Sequence, residues 1–418
     1  MRLAISLGLV ASLFGFTAGQ AAAHDEDRAA ADGWDREGAA KYLDERMDFW
    51  FAKAKKLRTG QTETACVSCH TTIPYVLARP ALRQAMRVNN ATPQESRILE
   101  EAKRRVDSYA DHEVLYDFSE DKKTQSRGTE AVLNALILAS ADAGETQLSA
   151  PTQKALQRLW QTQRSDGAWD WLDFSLEPFE TIDGAYQGAT LAALAVGIAQ
   201  GSSKTTPGIE KRIDKLRGYL KTPYASQRLF NKVWMLLAST RLRDLLTDEQ
   251  RQALIKEIQS KQRDDGGWAL ESLGTWRWNQ PAAPFRAPGT LDASLLAKSD
   301  GYATGLIVYA LRQAGLPVTH PTVSKGLQWL RTNQRSVPIS LLRARSVSDG
   351  AGNGGSNVPV ANAPGSEGKA WGEGVSAWRA HSLNFDREHA GDKGEPWRRM
   401  FMSDLATGFA VLALVGSD

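Results

Sequence analysis

The chain repeats itself, and the repeat decides what it can fold into. Leu156 to Trp169 is an amphipathic run that ends in Gln163, a polar turn with Gly167, and Trp169. Ile255 to Trp268 follows the same pattern with Gln262, Gly266 and Trp268. A third copy begins at Gly326 to Ser336, with Gln334, and meets an insertion before Gly374-Val375-Ser376-Ala377-Trp378. A unit of this size cannot bury its own apolar face, so the copies must stack on one another. At each turn the glycine adopts the conformation that stops a helix. The glutamine amide bonds the loose backbone groups, and the tryptophan stacks across the turn. These residues read as structural, not catalytic.

Four other segments match each other: Gln125 to Leu136, Asp183 to Leu194, Asp300 to Leu311 and Ser403 to Leu414. They are rich in small residues and apolar nearly all round, so they read as buried helices. The glutamine-ending helices carry charges and read as outer ones. Outer helix, turn, inner helix, repeated, predicts an all-α chain built as a single α/α toroid. The pairs fall at about 93–142, 151–199, 208–240, 247–315 and 322–416, and the N-terminal helix can complete a sixth. Of 418 residues, 42% are hydrophobic and 24% charged, which is enough for one large core. Residues 343–373 are poor in apolar side chains and rich in Gly, Ser and Asn, so they read as a flexible insertion.

The chain has 2 cysteines, too few for a disulfide scaffold. Both lie in Cys66-Val67-Ser68-Cys69-His70. This is the Cys-x-x-Cys-His attachment pattern of c-type haem, here one covalent haem c. Two thiols on one short turn can each form a thioether with a haem vinyl group. The adjacent histidine then lies where its imidazole binds iron as the proximal ligand. A structural Cys66–Cys69 disulfide and a thiol redox pair are the alternatives. Zinc would need further Cys or clustered His. Met86 and His112 downstream, and Met47 upstream, are candidates for the opposite axial position, and a five-coordinate iron is the other possibility. Residues 24–92 thus form a candidate haem segment: a helix at about 36–56, the haem turn, and a short helix near Leu77 to Met86, docked on residues 93–418.

Arg2, the apolar run Leu3 to Phe16 and the small residues Ala21-Ala22-Ala23 read as a secretory signal peptide over residues 1–23. Haem attachment in bacteria happens outside the cytoplasm, so the two features belong together. The expectation is a periplasmic or secreted protein with no transmembrane span after cleavage. Lys+Arg 51 against Asp+Glu 48 leaves +3, which argues against a nucleic-acid partner.

The Gln-x-x-x-Gly-x-Trp repeats resemble those of the squalene–hopene cyclase and protein prenyltransferase superfamily, over about residues 125–416. The chain is also similar to exported bacterial proteins that join such repeats to a Cys-x-x-Cys-His segment. The resemblance implies a central cavity, often apolar or aromatic-lined, with room for an apolar, isoprenoid-like ligand. It does not carry the activity. Triterpene cyclases have an Asp-x-Asp-Asp acid motif, and this chain has none; the prenyltransferase zinc site needs a Cys that residues 93–418 lack.

Acids recur near the inner-helix starts: Glu130, Asp183, Asp300 and Asp404. Gathered around one mouth they could do acid–base work, whereas Asp before Gly at a helix start is an ordinary N-cap. Glu130 lies beyond the cap position, next to Arg127, and is the sharper catalytic candidate. Trp171, Trp276 and Trp278 are candidates for lining a ligand mouth, while Trp169 and Trp268 belong to the repeat. The leading functional expectation is an exported mono-haem c-type cytochrome fused to a toroid, with a redox partner protein. The alternatives are a non-redox cyclase- or lyase-like enzyme using the cavity carboxylates, and a non-catalytic binding scaffold.

Overall fold

The computed structural model describes residues 33–109, 112–200, 209–276, 292–342, 375–388 and 396–417. The expected signal peptide at 1–23, the expected insertion at 343–373 and Trp278 lie outside them. The described residues are helix-rich, with four short strands. In chain order the elements are α1 Arg36–Lys53, β1 Lys56–Thr59, β2 Thr62–Ala65, α2 Thr72–Ala85, α3 Pro93–Asp107, α4 Glu120–Ala141, α5 Ala150–Gln161 and α6 Gly184–Gln200. Then follow α7 Glu210–Lys221, α8 Leu229–Ser239, α9 Asp248–Ser260, α10 Ala293–Leu296, α11 Gly301–Gln313 and α12 Pro321–Thr332. Last come β3 Arg335–Val337, α13 Ile339–Leu342, β4 Val375–Ala377, α14 Phe385–Glu388, α15 Pro396–Arg399 and α16 Phe401–Leu414.

The helices begin where local chemistry satisfies their first N–H groups. Thr92 and Glu95 form a reciprocal capping box at α3, with Pro93 at its first position, and Thr247 and Gln250 do the same at α9. Ser119 caps α4, whose first turn carries Glu120 and Asp121 against the helix dipole.

Packing separates two kinds of helix. α6, α11 and α16 are buried around almost their whole circumference. α7 buries only the stripe Ile213, Leu216 and Leu220, and α9 only Leu254 and Ile258. The buried helices touch in sequence: α2 on α4, α4 on α6, α6 on α8, α8 on α11, α11 on α16, and α16 back on α2. Helices α1, α3, α5, α7, α9 and α12 each pack on the one that follows or precedes them in this series. Small residues permit the close approaches. A Cβ at Gly408 of α16 would sit 2.5 Å from Pro74 Cβ of α2.

The repeat turns act as clips between neighbours. Gln163 Nε2 donates to Gly167 O in its own turn and to Arg212 O of α7, each at 3.0 Å. Gln262 Nε2 donates to Gly266 O (2.8 Å) and Thr322 O of α12 (2.9 Å). Gln334 exchanges two bonds with the backbone of Asp35, the α1 cap, at 2.7 and 2.8 Å. The indole N–H of Trp169, Trp268 and Trp378 each donates back to an outer-helix carbonyl, those of Leu159, Ile258 and Leu330, at 2.7–2.9 Å. Gly266, at φ +90°, holds the left-handed conformation its turn needs. The third clip joins residues 299 positions apart and ties the last outer helix to the first.

Two local expectations differ from what is found. The second helix of residues 24–92 starts at Thr72, not near Leu77, because Pro74 sits in the first turn, where its missing N–H costs nothing. A hairpin, β1 to β2, precedes the cysteines, turning at Gly60 (φ +61°) with Lys56 opposite Ala65. Among the described residues no helix is long and apolar enough to cross a membrane.

Removing one clip tests this packing. Gln262→Ala loses both bonds and leaves buried carbonyls unpaired, so it should lower unfolding free energy by about 1–3 kcal/mol. Urea titration should show a much smaller effect for Gln252→Ala, exposed on the same outer helix α9.

Candidate functional site

The hairpin delivers the cysteine motif. Ala65, its last residue, donates N–H to Glu101 Oε2 (2.8 Å) and accepts from Arg105 Nη1 at its carbonyl (2.9 Å). Cys66 N donates to Lys55 O at 3.1 Å, and Cys66 O accepts the indole N–H of Trp50 at 2.7 Å. Ser68 Oγ accepts from Thr71 N (3.1 Å) and Thr72 N (3.0 Å), so the middle of the motif caps the start of α2. Backbone and side chains together leave this turn little freedom.

Both cysteines are free thiols. Cys66, Cys69 and His70 line one cavity of about 250 Å³, together with Trp50, Trp171, Phe179 and Met402. Its charged wall includes Glu177, Glu180, Arg387 and Arg398. Burial pushes both thiols up, Cys66 to about 11, so neither is a reactive thiolate at neutral pH. That argues against a poised thiol redox pair.

His70 is held by a relay whose protons can be assigned. Asp404 accepts from Tyr42 Oη (2.9 Å), Arg46 Nε (2.7 Å), Arg46 Nη2 (3.0 Å) and Thr71 Oγ1 (2.7 Å). The Thr71 hydroxyl has one proton, and Asp404 takes it. Its contact with His70 Nδ1, at 2.9 Å, must therefore be accepted by the hydroxyl. Nδ1 carries the ring proton, and Nε2 keeps its lone pair. Burial, then the charges of Arg387 and Arg46, hold the imidazole well below its ordinary range, so it is neutral at pH 7. Phe401 stacks on the ring at 3.7 Å between centroids, and Trp50 meets its edge at 5.1 Å. A neutral, oriented imidazole with a free Nε2 is the form that ligates a metal.

The four candidate acids do not converge on this cavity. Asp404 is buried in the relay. Asp300 caps α11, accepting from Tyr302 N and Ala303 N (both 2.9 Å) and from Leu270 N (2.6 Å). Burial pushes its carboxyl up to about 6 against those donors. Asp183 is exposed and pairs with Arg228 at 2.9 Å. Glu130 is buried but pairs with Arg105 (2.8 Å) and His112 (3.0 Å), not with its sequence neighbour Arg127. Arg127, one turn earlier on the same helix, reaches Tyr109 O instead, at 3.4 Å. Arg105 also donates to Thr64 Oγ1 at 2.8 Å, so Glu130 acts on the strand that leads into Cys66.

His112 has both ring nitrogens engaged, by Tyr109 O (3.1 Å) and Glu130, and does not line the cavity; nor does Met86, at the end of α2. Met47 is buried within α1. Sequence reasoning missed Met402, Glu180, Arg387 and Arg398, which reach the cavity from distant segments; no local spacing marks them. Trp171 does line it, while Trp276 is buried and donates to Glu271 O at 2.9 Å.

The donor types, two thiols and one imidazole, are those a covalent haem would use. Two free thiols flank one turn, the imidazole is neutral with Nε2 unbonded among the described residues, and the wall mixes aromatic side chains with both acids and bases. At about 250 Å³ the cavity lies below the roughly 300–1,000 Å³ of small-molecule sites, so as it stands it is smaller than a macrocycle needs. Among the described residues no three His, Cys, Asp or Glu side chains gather to hold a metal ion by themselves. A haem iron needs only one protein ligand from this set. No protein-family model matches the chain, and no curated protein matches it.

Asp404→Asn leaves the buried Arg46 charge without its partner and should cost roughly 3–5 kcal/mol in chemical denaturation. Glu130 titrates near 2 instead of 4.5: burial raises its carboxyl, but the Arg105 charge and the His112 hydrogen bond and charge outweigh burial. A depressed folded-state value means its stabilisation is complete above about pH 4.5 and is lost as pH falls to about 2. The stability gap between wild type and Glu130→Gln should narrow over that window in acid titrations followed by circular dichroism.

Proposed function

We propose that the chain is an exported mono-haem c-type cytochrome fused to an α/α toroid, which exchanges electrons with a partner protein. Haem would be held by thioethers at Cys66 and Cys69, with His70 Nε2 as proximal ligand. The observation that carries this is the His70–Thr71–Asp404 relay, which leaves Nε2 bare beside two free thiols on one cavity. Bound haem supplies one-electron chemistry. Asp404, through Thr71, orients the imidazole and strengthens Nε2 as a donor. Trp50 and Phe401 fix the ring plane and exclude water from it. Met402, the methionine of the cavity wall, would be the side chain to test as a second iron ligand ahead of Met86 and His112.

The toroid is supported by the contact series of buried helices, which returns to its start, and by the Gln334–Asp35 clip. Its centre holds Phe230, Trp234, Tyr302 and Phe409 in edge and tilted contacts at 5.4–6.2 Å. This packing favours a scaffold over a chamber for an isoprenoid-like substrate. The partnered states of Glu130, Asp300 and Asp404 weigh against a cyclase- or lyase-like use of those carboxylates.

Expression with haem-maturation machinery should give a pink protein whose haem survives acid–acetone extraction. Cys66→Ser/Cys69→Ser should lose that covalent haem. A wild-type protein that keeps no haem after extraction would overturn the proposal.

A further inference from the structure

A second, larger cavity lies at the opposite end of the buried helices and shares nothing with the Cys66–His70 turn. Helix α4 gives Thr129 and Leu133 to the first cavity, and Ser140 and Ala141, two turns or more further on, to the second. The buried helices α6, α8, α11 and α16 end together there. A Cβ at Gly197 of α6 would lie 2.5 Å from the carbonyl carbon of Arg241, just past α8. Arg241 Nη2 donates to Oε1 of Gln313, the last residue of α11, at 3.0 Å. Arg312 Nη1 donates to the carbonyl of Val415, just past α16, at 3.0 Å. The cavity beside these ends holds about 580 Å³, within the roughly 300–1,000 Å³ of small-molecule sites.

Its walls are largely aliphatic. Helix α2 leaves Val76, Leu77, Pro80 and Ala81 half-buried, and their spacing puts them on one stripe of the helix. Leu99 of α3 and Ile198 of α6 add to that lining. An apolar occupant would take this surface out of water. Tyr75 is the aromatic side chain of the wall, and its hydroxyl is engaged by Asp44 (2.7 Å) and Thr92 (3.0 Å). Among the described residues no indole or phenyl ring lines the cavity, so it offers little for a planar ring to stack on and suits a saturated chain.

The charged side chains of the wall are Arg83, Glu95 and Arg241. Arg83 and Glu95 pair with each other at 3.1 Å. Arg241 is exposed, and its side chain bonds two neutral groups, the Gln313 amide and the Tyr309 hydroxyl. No carboxylate among the described residues cancels its charge, and a guanidinium has more N–H donors than those two bonds use. An aliphatic cleft edged by one uncancelled guanidinium matches a molecule with an apolar chain and a single carboxylate.

We propose that this cavity binds a straight-chain aliphatic monocarboxylate, with the chain on the α2 stripe and the carboxylate on Arg241. The carbonyl ends of the neighbouring helices favour a cation instead, which makes an aliphatic amine the competing occupant. Binding here is independent of whether Cys66 and Cys69 carry haem.

Isothermal titration calorimetry of the full-length protein with decanoate, decanol and decylamine, each below its micelle-forming concentration, tests the site. Wild type should bind one decanoate, and the alcohol and the amine about tenfold more weakly or worse. Arg241→Gln should weaken decanoate about tenfold, and Arg241→Lys, which keeps the charge but not the fork, should lose less. Ala141→Trp fills the cavity from an exposed position at the end of α4 and should abolish binding. Arg263→Gln, at an exposed site in a repeat turn, controls for net charge and should match wild type. Urea midpoints check that each variant is folded; if Ala141→Trp is not, Arg241→Gln decides the outcome, since Arg241 is exposed. Absence of decanoate binding in wild type, amine or alcohol binding as tight as decanoate, or undiminished decanoate affinity in Arg241→Gln or in folded Ala141→Trp overturns the proposal.

Discussion

A single buried carboxylate holds together the parts on which the site depends. Asp404 lies in the first turn of α16, out of water, and an isolated charge there would be prohibitively costly. Its cost is offset by Arg46 and Tyr42 of α1 and by Thr71 at the head of α2. Those partners lie more than 300 residues away along the chain. The ion pair thus sets the N-terminal segment against the last helix, and the hydroxyl it engages fixes the proton of His70. Stability and site chemistry share one set of atoms.

Around this centre the architecture is modular. Each Gln–Gly–Trp turn ends one outer helix and bonds the beginning of the next. The contacts are local in form and cumulative in effect. In the third copy the next outer helix is α1, so a repeat made for neighbours also joins the two ends of the described chain. The candidate site sits at that junction, where the motif segment, the last buried helix and the loop before α6 meet.

The packed interior changes the weight of the alternatives. Aromatic rings from α8, α11 and α16 occupy the middle of the helix assembly, and most of the acids once attractive as catalysts serve as caps or ion-pair partners. A cavity of about 250 Å³ lies instead beside Cys69 and His70.

Much of this was legible in the residues. The spacing of Gln163, Gly167 and Trp169 and its copies located the turns, because a helix stop, an amide clip and an indole brace need those residue types at those intervals. The motif Cys66 to His70 likewise marked a single turn, and that turn lines the cavity. Other elements were not legible. The hairpin before Cys66 has little alternation to announce it, and Pro74 disguised the start of α2. Long-range partners were hidden entirely. Glu130 chose Arg105 over Arg127, Asp404 joined Thr71 and Arg46, and Met402, Arg387 and Arg398 reached a cavity formed by other segments. Local spacing determines helix ends and the identity of a cysteine–histidine motif, since those depend on atoms a few residues apart. Only the tertiary structure decides which buried charge meets which donor and which way an imidazole proton points, because those depend on chain segments that pack together only when the whole core forms.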